Sequence, residues 1–258
     1  MRFLSSVLGY AISLGYRRAL APQPDRSKYL DRHSARRINA LIQSSGAGRS
    51  YLEIGVERGL TFEAVRAAIK VCVDPAPLFR RDSLPTGAQL VVSTSDNFFA
   101  DGGSGHPFDF VFLDGLHTAE ATYRDLVGAL KWLSPGGTVL VDDVMPTDEA
   151  SALPSYRDSQ VEKKKQGIKH SRWYGDVWKV VWLLVSKYPD IELVLLGSGG
   201  DEHTQAIVKL PKGLSGFGSD PDADLAFMES LNFHDVVTDQ GLVGLASPEE
   251  LVLSKLAE

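Results

Sequence analysis

The sequence holds one cysteine, Cys72, in 258 residues. A lone thiol excludes a disulfide framework within the chain and fits a reducing compartment, hence a cytoplasmic location. A basic excess is also missing, since 33 acids stand against 27 bases for a formal charge of −6. A general nucleic-acid binder needs a basic face, so that class is set aside. No run of about 18 apolar residues occurs, and no segment reads as a membrane-spanning helix. Internal repeats and low-complexity tracts are absent. What is there is 43% hydrophobic and 23% charged residues, the composition of a globular chain. A chain this long can bury about 70–75% of its unfolded surface and needs no disulfide or metal staple.

The N-terminal stretch Phe3 to Tyr16 is largely apolar but interrupted by serines, and Arg17-Arg18 follow it. An amphipathic helix through Leu4, Val7, Leu8 and Ile12 fits better than a signal peptide. Residues 1–48 thus read as a helical extension, able to cap a site, pack across a homo-oligomer interface or touch a membrane surface. Ala21 to Ser27 reads as a linker, and Arg32 to Ser44 as a helix. From Ser50 onward strands and helices alternate. Strand-like runs are Tyr51–Val56, Val71–Val73, Gln89–Ser93, Phe108–Leu113, Thr138–Val141, Ile191–Leu196 and Gln205–Leu210. Thr61–Ile69, Ala119–Leu133 and Trp178–Lys187 read as helices, with a stop at Ser134-Pro-Gly-Gly137. The pattern predicts an α/β domain over 49–258 with a parallel sheet covered on both faces. Residues 147–175 and Gly213 to Asp224 break the alternation, the first as a lid-like insertion.

In such sheets ligands bind beyond the carboxyl ends of the strands. Those ends carry Glu53, Asp74, Asp96, Asp114 and the pair Asp142-Asp143. Glu53-x-Gly55-x-x-x-Gly59 spans strand, tight turn and helix start, but it is not the dinucleotide pattern G-x-G-x-x-G. Glu53 and Glu57 would repel a pyrophosphate and suit a cationic adenosyl ligand. Asp74 sits where a carboxylate can accept both ribose hydroxyls, or where a turn before Pro75 needs a former. Ser95 and Asp96 fit an adenine contact, and Asp96 equally an N-cap. His117, three residues after Asp114, suits proton transfer or a plain helix start.

Leu52-Glu-Ile-Gly-Val-Glu-Arg-Gly59, Val73-Asp-Pro75, Phe108–His117 and Leu133–Asp143, in this order, resemble four motifs of the class I S-adenosylmethionine-dependent methyltransferases. Asp114-Gly-x-His117 with Asp142-Asp143 resembles the metal-dependent subgroup acting on macrolide sugars and in the cephalosporin pathway. The resemblance implies a Rossmann-like, doubly wound sheet of seven strands, the last antiparallel. It implies S-adenosylmethionine at Glu53, Gly55, Gly59, Asp74, Ser95, Asp96 and Asp114, and Mg2+ on Asp114, Asp142 and Asp143. His117 would take the proton of a hydroxyl on a small-molecule acceptor, a sugar or secondary metabolite. Trp173 and Asp176 would line the acceptor side, with packing and helix capping as their other readings. A metal-independent methyltransferase, an inactive nucleoside-binding protein and a nicotinamide dehydrogenase are the competing readings. Lys163–Lys165 reads as a solvated face, Cys72 as an inert core residue, and His234 as surface or packing, while no partner is identifiable for His33, His106, His170 and His203.

Overall fold

A computed structural model describes residues 33–45, 50–79, 84–197, 204–209, 216–238, 241–247 and 252. The expected Phe3–Tyr16 helix, the 21–27 linker and His203 lie outside them. Among the described residues the elements are α1 (His33–Ser45), β1 (Ser50–Ile54), α2 (Leu60–Ala64), β2 (Ile69–Val73), β3 (Ala88–Val91), α3 (Ser95–Ala100), β4 (Phe108–Leu113), α4 (Ala119–Lys131), β5 (Leu133–Asp142), α5 (Tyr156–Gln166), α6 (Trp178–Lys187), β6 (Glu192–Leu196), β7 (Gln205–Lys209), α7 (Pro221–Glu229), α8 (Phe233–Val236), α9 (Leu242–Leu245) and β8 (Ala246–Ser247).

The strands form one sheet in the order β3-β2-β1-β4-β5-β7-β6-β8. The pairs among β1 to β5 are parallel, and β7 runs antiparallel to both β5 and β6. Seven strands with an antiparallel last one are as expected, and the two-residue β8 adds a short edge beside β6. The strand order reverses between β1 and β4, which puts the ligand crevice at the ends of those two strands.

Every residue of β1 is buried, because helices cover both faces of the sheet. Leu52 and Ile54 face a core shared with Tyr123 and Leu126 of α4 and Val180 and Leu184 of α6. Tyr51 faces the other core, with Ile38 and Leu41 of α1 and Phe62 of α2. Truncating a fully buried residue such as Leu126 to Ala would cost about 2–5 kcal/mol.

Several expectations are corrected. The helix expected over 61–69 stops at Ala64, where Val65 turns extended. Asn39 of α1 causes the stop, donating to Ala64 O at 3.1 Å and accepting from Arg66 N at 2.7 Å. Ser134–Gly137 is a bulge inside β5 rather than a gap before it, with pairing that jumps from Phe108↔Leu133 to Phe110↔Thr138. The insertion holds a helix, α5, capped by Ser155 and closed by Gly167 at φ 71°. Lys163 is no solvated residue; it is 2% exposed, and its Nζ donates to Arg172 O. His33, His106, His170 and His234 also have partners: Arg36 at 3.4 Å, Pro107 O at 3.2 Å, Asp148 at 3.3 Å and Glu149 at 3.1 Å. No helix among the described residues is long and apolar enough to cross a membrane.

Candidate active site

The turn after β1 is shaped by close backbone approach. Gly55 has φ 82°, and a Cβ there would stand 2.0 Å from Asp114 O, so only glycine fits. Gly59, φ 71°, starts α2 against the ring of Phe79. Asp74 holds the turn from the neighbouring strand. Its Oδ2 accepts from Val56 N and Glu57 N, both at 3.0 Å, and its Oδ1 from Ala76 N at 2.7 Å. Glu53 is 2% exposed on β1, and its Oε2 accepts from Tyr51 Oη at 2.6 Å. Burial and that carboxylate push the Tyr51 hydroxyl well above its usual range. Glu53 is therefore set deeper than the open strand edge.

After β3, the N-cap of α3 is Thr94, which accepts from Asn97 N at 3.3 Å; Asp96 does not cap the helix. The Asp96 carboxylate instead meets Arg124 Nε at 3.0 Å, and Arg124 Nη1 meets Glu120 at 2.6 Å.

The strand ends of β4 and β5 bring Asp114, His117 and Asp143 together, with one ligand atom of each within 4.8 Å of the others. His117 Nδ1 lies 2.9 Å from Asp143 Oδ2, and Nε2 lies 3.4 Å from Asp114 Oδ1. Burial alone would lower the His117 pKa, but Asp143 and Asp114 outweigh it and hold it well above the usual value. Burial raises the Asp114 carboxyl, and His117 opposes the rise. Asp143 adopts φ 58°, uncommon for a residue with a side chain, at the turn that aims it at His117.

Asp142 is turned aside. Its Oδ1 accepts from Asp143 N at 3.0 Å and from Gln205 Nε2 at 3.2 Å. Gln205 is fixed in turn by the fully buried Arg37 of α1, whose Nη1 donates to its Oε1 at 3.0 Å. Burial, together with Asp114 and Asp143, raises the Asp142 carboxyl well above its usual value. Crowded carboxylates call for a positive charge among them, and a divalent cation would meet that demand. The donor set fits one. Two carboxylate oxygens with waters suit Mg2+, whereas an imidazole ligand would favour Mn2+ or another transition metal.

The insertion closes on this cluster at three points. The Trp173 ring stacks on His117 at 4.9 Å and 19°, while its Nε1 donates to Leu153 O at 2.7 Å. Gly175, φ 65°, is pressed so close that a Cβ would stand 1.7 Å from His117 O. Asp176 Oδ1 accepts from Ala119 N at 2.7 Å and so caps α4, while its Oδ2 lies 3.4 Å from Lys179 Nζ. Trp173 carries a His117 ring on one face and the edge of Tyr156 at 5.7 Å, so it braces the imidazole. Sequence reasoning missed Gly175, Gln205 and Arg37. Only Gly175 carried a signal, as a glycine between two residues already singled out.

Residues 52–144 match the family described as a methyltransferase domain. The sheet and this match together give residues 52–144 the fold of a methyltransferase domain. The match runs from β1 through Asp143, so it contains the glycine turn, Asp74 and the acid–imidazole cluster. A candidate O-methyltransferase from Klebsiella pneumoniae shares the fold at 15% identity and TM-score 0.52, over 80% of this chain and 90% of that one. An O-methyltransferase from Bacillus cereus, solved with S-adenosylhomocysteine, aligns at 16% identity and TM-score 0.49, over 80% of this chain and 95% of that one. At these identities the likeness is one of fold. The methyltransferase fold puts Gly55 and Gly59 at the strand-order reversal, with Asp114 on the facing strand end.

Proposed function

We propose that the chain is an O-methyltransferase that methylates a hydroxyl of a small molecule, a sugar or secondary metabolite, with Mg2+ assisting. The observation that carries this reading is the Asp114–His117–Asp143 cluster beside the glycine turn. A hydroxyl is a weak nucleophile at neutral pH and needs its proton removed and its oxygen aligned with the methyl group.

Asp114 and Asp143 would hold the cation, with Asp142 beside them held by Gln205. The chemistry such a cation would supply is polarisation of the hydroxyl and counter-charge to the carboxylates. Asp143 accepts the Nδ1 proton of His117 across 2.9 Å and thereby fixes the tautomer. Nε2 is then the atom that takes the hydroxyl proton. Trp173, stacked on the imidazole, keeps its plane. Gly55, Gly59 and Asp74 would hold the methionine and ribose parts of the cofactor, with Ser95 and Asp96 on the adenine side. The extension containing α1, through Arg37 and Gln205, would complete the acceptor side or a subunit contact.

A metal-independent methyltransferase is favoured by one observation: His117 already lies between the two carboxylates and can serve as their cation. Release of S-adenosylhomocysteine from hydroxylated acceptors, with EDTA or with Mg2+, decides between them. The proposal expects activity that EDTA abolishes and Mg2+ restores. Full activity in EDTA would assign the chemistry to His117 and the carboxylates alone. Cofactor binding without turnover on any acceptor would favour the inactive, nucleoside-binding reading.

A further inference from the structure

The left-handed turn at Asp143, φ 58°, is a conformation that a residue with a side chain keeps where neighbouring contacts hold it. Both flanks of this turn are held from β7. On one side, Gln205 is the antiparallel partner of Asp142, and its Nε2 donates to Asp142 Oδ1 at 3.2 Å. The same oxygen accepts from Asp143 N at 3.0 Å. On the other side, Thr204 Oγ1 accepts from Met145 N at 3.0 Å and donates to Met145 O at 3.2 Å. Thr204 and Gln205 are both buried, so bulk water does not compete for these bonds. The orientation of the Gln205 amide is forced. A guanidinium has donors and no acceptor, so the atom 3.0 Å from Arg37 Nη1 is the amide oxygen. The amide nitrogen must then face Asp142 and the Ser34 hydroxyl, which accepts from it at 2.8 Å. Arg37 and Ser34 both belong to α1.

We propose that Gln205 is a positioning residue for His117: anchored on α1 by Arg37 and Ser34, and assisted by Thr204, it holds the turn that keeps the Asp143 carboxylate on the imidazole. This rests on the reading of His117 as the base that takes the hydroxyl proton. The contacts run from Gln205 to the Asp142 carboxylate, from that carboxylate to Asp143 N, and from Asp143 Oδ2 to His117 Nδ1 at 2.9 Å. A second acceptor, Trp173 O, lies 3.4 Å from the same nitrogen. With Asp143 released, the imidazole keeps this longer contact, and Nε2 turns away from the line of proton transfer. These contacts run through β7, β5 and α1 and bypass Gly55, Gly59 and Asp74. The clamp therefore gives α1 a part in the chemistry and none in holding the cofactor.

The test is proton–nitrogen NMR of the full chain carrying isotope-labelled histidine, read beside S-adenosylhomocysteine calorimetry, thermal melting and turnover on an accepted hydroxyl. The wild type shows a hydrogen-bonded Nδ1–H signal that His117→Asn removes. Gln205→Glu keeps the length and the acceptor for Arg37, beside which the new carboxylate stays ionised, but it sets an acceptor against Asp142. That variant loses or shifts the signal, and turnover falls about tenfold with S-adenosylhomocysteine affinity within about twofold of wild type. Should it fail to melt cooperatively, Thr204→Val takes its place: it keeps the volume, removes the Met145 contacts and moves signal and turnover in the same direction. A merely structural role would lower the melting point and leave the signal of the folded protein as it was. An unchanged signal in the folded variant, no such signal in the wild type, or affinity and turnover lost in equal proportion overturns the proposal. Loss of the signal at wild-type turnover upholds the clamp and overturns the reading of His117 as the base.

Discussion

The glycine turn after β1 and the Trp173–Asp176 strap converge on the same loop, residues 114–119, but by different means. The turn meets the loop through backbone: Gly55 packs on Asp114 O, and the Asp74 carboxylate that shapes it lies only 17 to 18 residues from Val56 and Glu57. The strap meets it through an aromatic stack, a glycine contact and a carboxylate cap, from segments 56 and 57 residues away. On the proposed function, the first half would present backbone and acids to the cofactor. The second orients His117. Binding and chemistry should therefore fail separately when each half is damaged.

Gly55→Ala should have the largest effect. Its Cβ would collide with Asp114 O at 2.0 Å in a backbone conformation at φ 82°. We expect a loss above about 4 kcal/mol in unfolding stability, or an intact fold that no longer binds S-adenosylhomocysteine. Gly175→Ala makes the matching clash on the other half, against His117 O. Turnover should fall about 100-fold through misplacement of the imidazole, with S-adenosylhomocysteine affinity within about twofold of wild type. If Gly175→Ala abolishes ligand binding instead, the two halves are one unit. Trp173→Leu removes the stack but keeps apolar volume, so turnover should drop about tenfold at unchanged cofactor affinity. Asp176→Ala removes a helix cap and should lower stability by about 1 kcal/mol, read as a melting point lower by about 2–4 °C.

The first half was legible in the sequence because its determinants are local. Apolar runs ending in Glu53–Gly59, Asp74 and Asp114 give strand, turn and acid in one stretch of text, and the alternation of strands and helices gives a parallel sheet. The second half was not, because contacts such as Trp173 on His117 depend on how a long insertion folds back. Asp142 shows the same limit. Its position after β5 was readable, but its engagement with Gln205, 63 residues on, and through it with Arg37 was not. Asp96 was left open between an adenine contact and a cap for a smaller reason: Thr94, two residues earlier, offers the same capping chemistry with the right offset. The end of α2 likewise depends on Asn39, a side chain from another helix.

The central claim is that His117 serves the chemistry and not the cofactor. His117→Ala, compared with wild type for S-adenosylhomocysteine affinity by calorimetry and for methyl transfer to an accepted hydroxyl, tests it most directly. The account predicts unchanged affinity with turnover lower by about 100- to 10,000-fold. Turnover equal to wild type, or affinity and turnover lost in equal proportion, would contradict it.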